Sequence, residues 1–278
     1  MELLAPLMSL FNSLVIFPLM NILFAVYAVF SALNVPYAAG FSIIGLTVVI
    51  RLIFYPLTNK QLQASKKMQD IAPLVSEVKN KFKGDNKRIQ EETMKLYKEH
   101  GVNPAAGCLP TLIQLPILLG LYRVLIDLVN KAPDEALKYI NGIVITPLRI
   151  TEPWDTYFFG IPLGQSPQEM MATLPLVAIS IPILTGLFQF IQSKMMFSTP
   201  PAKKTDKKPG SADFATTFQK QAAYIFPLMI GFFSFSFPFG LSLYWNTFTI
   251  FGIIQQYKIS GLGGLEGIWL KAKAMTKK

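Results

Sequence analysis

Long stretches of this chain carry no charged side chain, and this feature limits its fold more than any other. Residues 1–59 contain only two charged side chains, Glu2 and Arg51. Three later runs are uncharged throughout: residues 101–122, 170–193 and 221–257. A helix needs about 17 to 25 mostly apolar residues to cross a membrane. The chain is therefore predicted to be an all-α polytopic membrane protein.

The uncharged runs divide into five predicted transmembrane helices. The first is predicted over residues 39–59, after the break at Asn34-Val35-Pro36. The run of residues 221–257 is too long for one spanning helix and long enough for two short ones. Pro238-Phe239-Gly240 supplies the turn between them, because proline cannot continue a helix and glycine accepts turn dihedral angles. Transmembrane helices two to five then lie within residues 104–257.

The distribution of lysine and arginine predicts the side on which each loop lies. Ten basic residues fall in residues 52–103, six in 194–220 and five in the tail 258–278, so these segments are placed in the cytoplasm. The loop of residues 123–169 has four basic and six acidic residues and is placed outside. Five spans then put the N-terminus outside and the C-terminus in the cytoplasm.

The apolar N-terminal segment, residues 1–36, allows two interpretations. It could be a sixth span, but that would put the N-terminus inside without any positive anchor. It also lacks the basic n-region of a secretory signal. We favour a helix that lies on or dips into the outer leaflet over a true span.

The cytoplasmic segment 60–100 is predicted to be a helical hairpin. Two sets of larger side chains recur at helical spacing on either side of a break at Gly84-Asp85-Asn86. The sets are Ile71, Leu74, Val75, Val78 and Phe82, then Ile89, Thr93, Leu96 and Tyr97. We expect two antiparallel helices with one apolar seam and basic outer faces. Asn103-Pro104 is predicted to cap the next helix, and residues 199–210 to form a flexible basic loop.

Composition excludes several kinds of chemistry. The single cysteine, Cys108, cannot form an intramolecular disulfide, and a single histidine, His100, adds too little for a metal site. No glycine-rich phosphate loop is present in the sequence. We therefore expect no catalytic residue, no metal and no cofactor. The net charge of +10 is assigned to cytoplasmic loops and anionic lipid, with no specific nucleic acid as a partner.

Arg51 is the most unusual residue of the predicted spans. An arginine at the centre of a membrane helix costs about 2.5 to 3.5 kcal/mol to insert. At about 1.5 Å per residue, Arg51 lies about 13 Å before Lys60 and the end of the span, so its guanidinium reaches water with difficulty. The predicted spans contain no Asp or Glu to balance its charge. Arg51 could bind backbone carbonyls or a lipid phosphate and only stabilise the fold. Alternatively, it could face a hydrated cavity that receives a negatively charged substrate.

Other polar side chains are available to line such a cavity. Thr47, Tyr55 and Thr58 share a helical face with Arg51. Four more lie within the remaining predicted spans: Gln114, Gln189, Gln192 and Asn246. Each of them alone is more typical of a hydrogen bond between helices. Together with Arg51 they predict a hydrophilic groove.

Four sequence blocks follow one another over most of residues 40–257. They are TVVIRLIFYPLTNKQLQASKKMQ, LYKEHGVNPAAGCLPTLIQLPILLGLY, FIQSKMM and FPLMIGFFSFSFPFGLSLYW. The most specific part is the order Asn-Pro, Gly-Cys-Leu-Pro and Gln-Leu-Pro-Ile ahead of Leu-Tyr-Trp. In these blocks the chain resembles the YidC/Oxa/Alb family of membrane protein insertases. It is more similar to the compact members than to those with a large external domain.

The resemblance implies five helices around a hydrophilic groove that opens to the cytoplasm and the lipid and is closed toward the outside. Arg51 would supply the positive charge of the groove. Gln192 and Trp245 match groove-lining positions, with Gln189 as an alternative to Gln192 from spacing alone. The hairpin would receive hydrophobic client proteins, which the groove releases into the bilayer.

Partners and location are also implied by the resemblance. The partners are nascent membrane proteins and the lipid bilayer, with the ribosome and the Sec translocon as candidates. The short basic tail gives little support to ribosome binding. The implied location is the bacterial plasma membrane, the inner membrane where there are two.

Two other functional classes fit the sequence less well. A transporter or channel would be expected to show paired ionisable groups near the midplane and an internal repeat, and the sequence has neither. A structural scaffold accounts for the helices but leaves Arg51 and the basic hairpin without a task. The predicted function is therefore that of an insertase or chaperone without a covalent reaction.

Overall fold

The computed structural model describes residues 5–101, 109–129, 131–196 and 211–266. Several predictions concern parts of the chain outside the described residues. These parts are the cap at Asn103-Pro104, Cys108, the loop of residues 199–210 and the tail beyond residue 266.

The described chain is almost entirely helical, which confirms the all-α class. Two short strands, β1 (Tyr157–Phe158) and β2 (Ile161–Pro162), pair antiparallel. The helices are α1 (Ala5–Phe11), α2 (Phe17–Ala32), α3 (Ala38–Ile53), α4 (Tyr55–Asp70), α5 (Ala72–Lys81), α6 (Asn86–Glu99), α7 (Leu109–Val129), α8 (Pro133–Ile143), α9 (Pro167–Met170), α10 (Pro175–Met196), α11 (Ser211–Ser234) and α12 (Phe239–Ser260). A π-helical turn, Asn12–Ile16, joins α1 to α2.

Two helical segments among the described residues are long and apolar enough to cross a membrane. They are Ala5–Ala32 and Pro175–Met196, and the pair α3 and α4 adds a third if it is counted as one broken span. The first of these is the N-terminal segment, and its predicted place on or in the outer leaflet stays a prediction. The number of five spans and the orientation of the chain stay predictions.

The predicted first span, residues 39–59, is interrupted in the structure. Helix α3 ends at Ile53, and α4 begins at Tyr55. Pro56 has no N–H to donate to the carbonyl of Leu52, so the helical ladder is broken at this point. The prediction of one continuous helix over residues 39–59 did not allow for this proline.

The chain forms two compact units. The first consists of the described residues within Met1–Phe54, Thr111–Thr185 and Gly231–Phe248. Its apolar core joins α2, α3, α7, α8, α12 and the segment between α8 and α10. The fully buried members with the largest side chains are Met20, Leu23, Phe24, Ile43, Leu46, Leu121, Leu125, Leu128, Ile140, Leu163, Met170 and Tyr244.

Two glycines allow helices of the first unit to approach closely. A Cβ atom on Gly45 of α3 would stand 2.6 Å from Val26 Cγ1 of α2. A Cβ atom on Gly120 of α7 would stand 2.6 Å from Val15 Cγ1 in the π-helical turn. Small residues at such positions are typical of helix packing in membranes. The N-terminal segment is therefore packed against α3 and α7 within this unit.

The segment before α10 is bound to the turn between α11 and α12 through three backbone hydrogen bonds. Gly240 N donates to Leu163 O at 2.7 Å, Phe239 N to Gln165 O at 2.9 Å, and Gln168 N to Phe235 O at 3.0 Å. We call residues 163–168 and 235–240 the clasp. The turn lies where Pro238 predicted it, since α11 ends at Ser234 and α12 begins at Phe239.

The second unit consists of the described residues within Tyr55–Pro110, Gly186–Ile230 and Thr249–Lys278. It contains the predicted hairpin, now seen as α5 and α6, which follow the stem helix α4. Gly84 has a φ of +99°, which glycine tolerates, and the Asp85 side chain accepts from Arg88 N at 3.0 Å to cap α6. Val75 and Ile89 are buried, as the apolar spacing predicted, whereas Leu74, which was assigned to the same seam, is 38% exposed.

Candidate functional site

Arg51 lies in the last turn of α3 and is only 5% exposed. Its guanidinium donates a hydrogen bond through Nη2 to the backbone carbonyl of Phe248 in α12. The guanidinium carbon also lies 3.4 Å from the centroid of the Phe248 ring. A cation over an aromatic face is attracted by the ring's quadrupole, more strongly where water is excluded. One residue of α12 therefore holds the guanidinium in two ways.

Phe248 packs against Tyr244 of α12, and Tyr244 is in turn bound by a residue of α7. The rings of Tyr244 and Phe248, one helical turn apart, stack with centroids 5.9 Å apart. The Tyr244 hydroxyl accepts a hydrogen bond from Gln114 Nε2 of α7 at 2.7 Å. We call Arg51, Phe248, Tyr244 and Gln114 the arginine cluster. It connects α3, α12 and α7 in the first unit.

Three other predicted residues of the first unit make different contacts. Thr47 is fully buried one turn before Arg51, and its hydroxyl donates to Ile43 O at 2.7 Å. Asn246 Nδ2 donates to Thr185 Oγ1 of α10 at 3.1 Å. Trp245 is half-buried in α12. The hydrogen bonds of Thr47 and Asn246 are of the kind that joins or stiffens membrane helices.

Gln189 and Gln192 belong to the second unit. Gln189 is buried and Gln192 is half-buried, both in the last part of α10. The structure thus brings Gln114 into the cluster that holds Arg51, while these two glutamines are described within the other unit. The assignment of all seven residues to one groove stays a prediction.

Arg51 was given two interpretations: it stabilises the fold, or it attracts a negatively charged substrate. The contacts within the arginine cluster bear on the first of them. A bond to a backbone carbonyl is what a stabilising role predicts, and Phe248 provides it. A backbone carbonyl accepts a hydrogen bond but carries no net negative charge, so the contact with Phe248 does not neutralise the guanidinium. The cluster can therefore hold the helices together and present a positive charge in an apolar setting.

Three contributors to the site were missed by the sequence reasoning. Tyr244 stands in the Leu-Tyr-Trp motif, in which the resemblance points to Trp245 alone as a groove residue. Phe248 follows Tyr244 at helical spacing, but nothing distinguishes it from the other phenylalanines of α12. Thr185 is one of many hydroxyl residues in the predicted spans. Its partner Asn246 is less common there and was therefore the easier of the two to identify as a polar contact from the sequence.

The chain is similar to a known protein family, to individual proteins and to a solved structure. The family model described as 60Kd inner membrane protein matches residues 29–262. The inner membrane protein ALBINO3, chloroplastic, of Arabidopsis thaliana is 35% identical over 241 residues, which are 84% of this chain and 49% of that protein. The membrane protein insertase YidC of Oceanobacillus iheyensis is 32% identical over 257 residues, 91% of this chain and 84% of that protein.

The chain spans about half or less of the length of several relatives, and only 33% of the YidC of Wolinella succinogenes. Among solved structures, the crystal structure of an active YidC insertase with its first transmembrane domain resolved matches with a TM-score of 0.53. That match has 24% identity and covers 84% of this chain and 45% of the other. It supports the helical membrane fold. By its sequence the chain belongs to the 60Kd inner membrane protein family, which contains the YidC, Oxa and Alb proteins.

Proposed function

We propose that this protein is a membrane protein insertase, which receives hydrophobic clients from the cytoplasm and releases them into the bilayer. The observation that carries the proposal is the buried guanidinium of Arg51, held against Phe248 in a chain of this family. The printed names of the Oceanobacillus and Wolinella relatives describe insertases. No covalent reaction is part of the proposed activity.

The proposed role of Arg51 is to attract the polar or acidic N-terminal segment of a client. Two opposite charges 4 Å apart attract by about 1 kcal/mol in water but by about 4 kcal/mol at an effective dielectric constant of about 20. The larger value is comparable with the cost of about 2.5 to 3.5 kcal/mol of a charge at a helix centre. A groove with Arg51 would therefore offset much of the cost of bringing an acidic segment into the membrane.

Two further sources of free energy complete the proposed step. Burial of the client's apolar span in lipid contributes about 0.8 kcal/mol for each buried CH₂ group. The membrane potential contributes about 2.3 kcal/mol for each negative charge moved outward across 100 mV. Because both terms favour insertion, the proposal includes no nucleotide hydrolysis by this chain.

We place the protein in the bacterial plasma membrane, with the hairpin and the C-terminus in the cytoplasm and the N-terminus outside. The relatives of Oceanobacillus iheyensis and Fusobacterium nucleatum, both bacterial, carry the name of a membrane protein insertase, which supports this location. Nascent membrane proteins and lipid are its proposed partners, and the ribosome and the Sec translocon are further candidates.

The test replaces Arg51 by Ala, Lys and Glu and measures insertion of a single-span client with an acidic N-terminal segment into proteoliposomes. We expect insertion to fall in the order Arg, Lys, Ala, Glu, because charge is first retained, then removed, then reversed. Arg123→Gln is the matched control, since Arg123 is half-exposed and pairs with Asp127 at 3.7 Å. Ala and Glu variants that insert the client as well as the parent protein would rule out charge attraction.

A second variant separates the charge of Arg51 from its packing role. Phe248→Leu removes the ring under the guanidinium but keeps the charge and the backbone carbonyl. If Arg51 only stabilised the fold, Phe248→Leu and Arg51→Ala would lower stability and insertion in proportion. We expect Phe248→Leu to lower stability while insertion still depends on the client's acidic residues.

A further inference from the structure

Helix α4, the stem that leads into the hairpin, buries one face along its length. Leu62 and Ser65 are buried on this face, and Thr58 and Gln69 extend it at spacings of four residues. The face is about 16 Å long at 1.5 Å per residue. At its beginning, Thr58 Oγ1 accepts a hydrogen bond from Gln255 Nε2 of α12 at 2.9 Å. The stem is thus attached to a neighbouring helix rather than surrounded by solvent.

Farther along, α4 reaches the C-terminal ends of two helices. Gln69 Nε2 donates a hydrogen bond to the carbonyl of Met196, the last residue of α10. Lys66 Nζ donates to the carbonyl of Ile259 at 3.4 Å, one residue before the end of α12. All of these residues belong to the second unit. One stem helix therefore caps the ends of two others.

These contacts have a clear physical basis. The last four carbonyls of a helix have no partner within the helix and carry the negative end of its dipole. An ammonium group at the end of α12 is attracted by both features, and an amide N–H at the end of α10 satisfies one of the carbonyls. The two donors are three residues apart on α4, so both contacts require a single orientation of the stem.

The carbonyl that precedes the acceptor of Gln69 is also closely surrounded. Gln256 Nε2 of α12 lies 3.4 Å from Met195 O as a hydrogen-bond donor. A Cβ atom on Gly263 would stand 2.2 Å from the same oxygen, so a residue with a side chain would clash there. The end of α10 is therefore held by α12 and by the residues that follow it, as well as by α4.

We propose that Lys66 and Gln69 are positioning residues that fasten the hairpin stem to the ends of α12 and α10. Held in this way, α5 and α6 keep one orientation relative to those helices. The proposal rests on the proposed function, in which the hairpin receives the client. Its geometric part can be measured without any insertion assay, so failure of one does not imply failure of the other.

The orientation of the hairpin is measured as a distance distribution between two nitroxide labels. The parent for labelling is Cys108→Ser, which removes the single native thiol. The labels are attached through Lys95→Cys on α6 and Tyr257→Cys on α12, both exposed positions in the second unit. Electron paramagnetic resonance on the protein in lipid bilayers then reports their separation. We expect one narrow distribution for this parent.

The test variants are Lys66→Glu and Gln69→Glu, which put a carboxylate next to a carbonyl where a donor stood. We expect each to broaden the distribution, with about a tenfold larger population of detached stem for Gln69→Glu, whose contact is part-buried, and a smaller increase for Lys66→Glu, whose contact is exposed. The matched controls are Lys67→Glu and Gln63→Glu, at exposed positions of the same helix. They make the same chemical changes, and we expect the distribution to stay narrow.

Gln69→Lys tests the same point while retaining a donor. We expect this variant to keep the narrow distribution. If Gln69→Glu does not assemble in the membrane, Gln69→Lys still tests whether a donor at this position is sufficient. Narrow distributions in both Lys66→Glu and Gln69→Glu would overturn the proposal, as would broadening in the controls equal to that in the test variants. Where the stem is detached, we expect insertion to fall several-fold with its dependence on Arg51 unchanged.

Discussion

Replacing Tyr244 by Phe removes one hydroxyl from the arginine cluster and leaves the ring in place. Gln114 Nε2 then loses the acceptor that it contacts at 2.7 Å. Tyr244 is completely buried, so water does not replace the hydroxyl. An unsatisfied buried donor costs about 1 to 3 kcal/mol, while side-chain hydrogen bonds in membrane proteins average about 0.6 and reach about 1.7 kcal/mol. We expect a loss of about 1 to 1.5 kcal/mol in the free energy of unfolding.

The double-mutant cycle gives the sharper result. Gln114→Leu leaves the Tyr244 hydroxyl without its donor, so its cost should be similar. When both side chains are replaced, neither the amide of Gln114 nor the hydroxyl of Tyr244 remains to lack a hydrogen-bond partner. The double variant should therefore be less destabilised than the sum of the single variants, by about 1 kcal/mol. Because the Tyr244 ring still stacks on Phe248 in the Tyr244→Phe variant, we expect its insertion activity to stay near that of the parent.

The assay is unfolding by denaturant in mixed micelles, with the secondary structure followed by circular dichroism. Ser180→Ala combined with Gln114→Leu is the control pair, because Ser180 is exposed and bonds within α10 to Val177 O at 2.9 Å. Independent sites add within about 0.3 to 0.5 kcal/mol. Additivity of the Gln114 and Tyr244 variants within that range would refute the hydrogen bond and its place in the cluster.

Two further predictions concern the segment before α10. Gly40→Ala would put a Cβ atom 2.0 Å from Phe158 Cδ2, so the ring must move, and we expect a loss of about 1 to 3 kcal/mol in unfolding titrations. Ser166→Ala removes the hydroxyl that caps α9 and should cost about 0.5 to 2 kcal/mol in the same assay. The pKa of Glu169 is lowered because its carboxylate accepts hydrogen bonds from the Ser166 backbone N–H and hydroxyl. Its stabilising contribution is therefore complete above the ordinary pKa of 4.5 and lost as the pH falls through the lower folded pKa, and melting curves should show a smaller acid-induced loss in Ser166→Ala.

Control measurements accompany both predictions. If the clash at Gly40 is the cause, Gly142→Ala should have a much smaller effect, since no atom lies within 4 Å of a Cβ there. An equal effect at both glycines would mean that helix geometry, not the Phe158 ring, determines the cost. An identical acid response in Ser166→Ala and the parent would contradict the capping account of Glu169.

Local features of the fold could be predicted from the sequence because their signals are local. The hairpin could be predicted from the spacing of Val75 and Ile89 and from the break at Gly84, since helix periodicity and glycine conformation act over a few residues. Pro238 gave the turn before α12 for the same reason. Pro56 is an equally clear signal for the end of α3, but it lies within an apolar run that by itself favours one continuous span.

The contacts of the candidate site could not be predicted in the same way. Arg51 and Phe248 are 197 residues apart, and the acceptor is a backbone carbonyl that every residue has. The need of Arg51 for a partner could be predicted from its cost in the membrane, but its identity could not. The hydrogen bonds of the clasp are also made by backbone groups, so no side-chain pattern in the sequence predicts them. Membership of the YidC/Oxa/Alb family was predicted from motifs and is confirmed by the family match.

The central claim is that the charge of Arg51 acts on the charge of the client. The most direct test compares two clients that differ only by Asp or Asn in the N-terminal segment, each with the parent protein and with Arg51→Ala. We predict that Arg51→Ala slows insertion of the Asp client by about tenfold or more, equivalent to about 1.4 kcal/mol, and leaves the Asn client unchanged. Equal slowing of both clients would contradict the claim and leave Arg51 with the stabilising role alone.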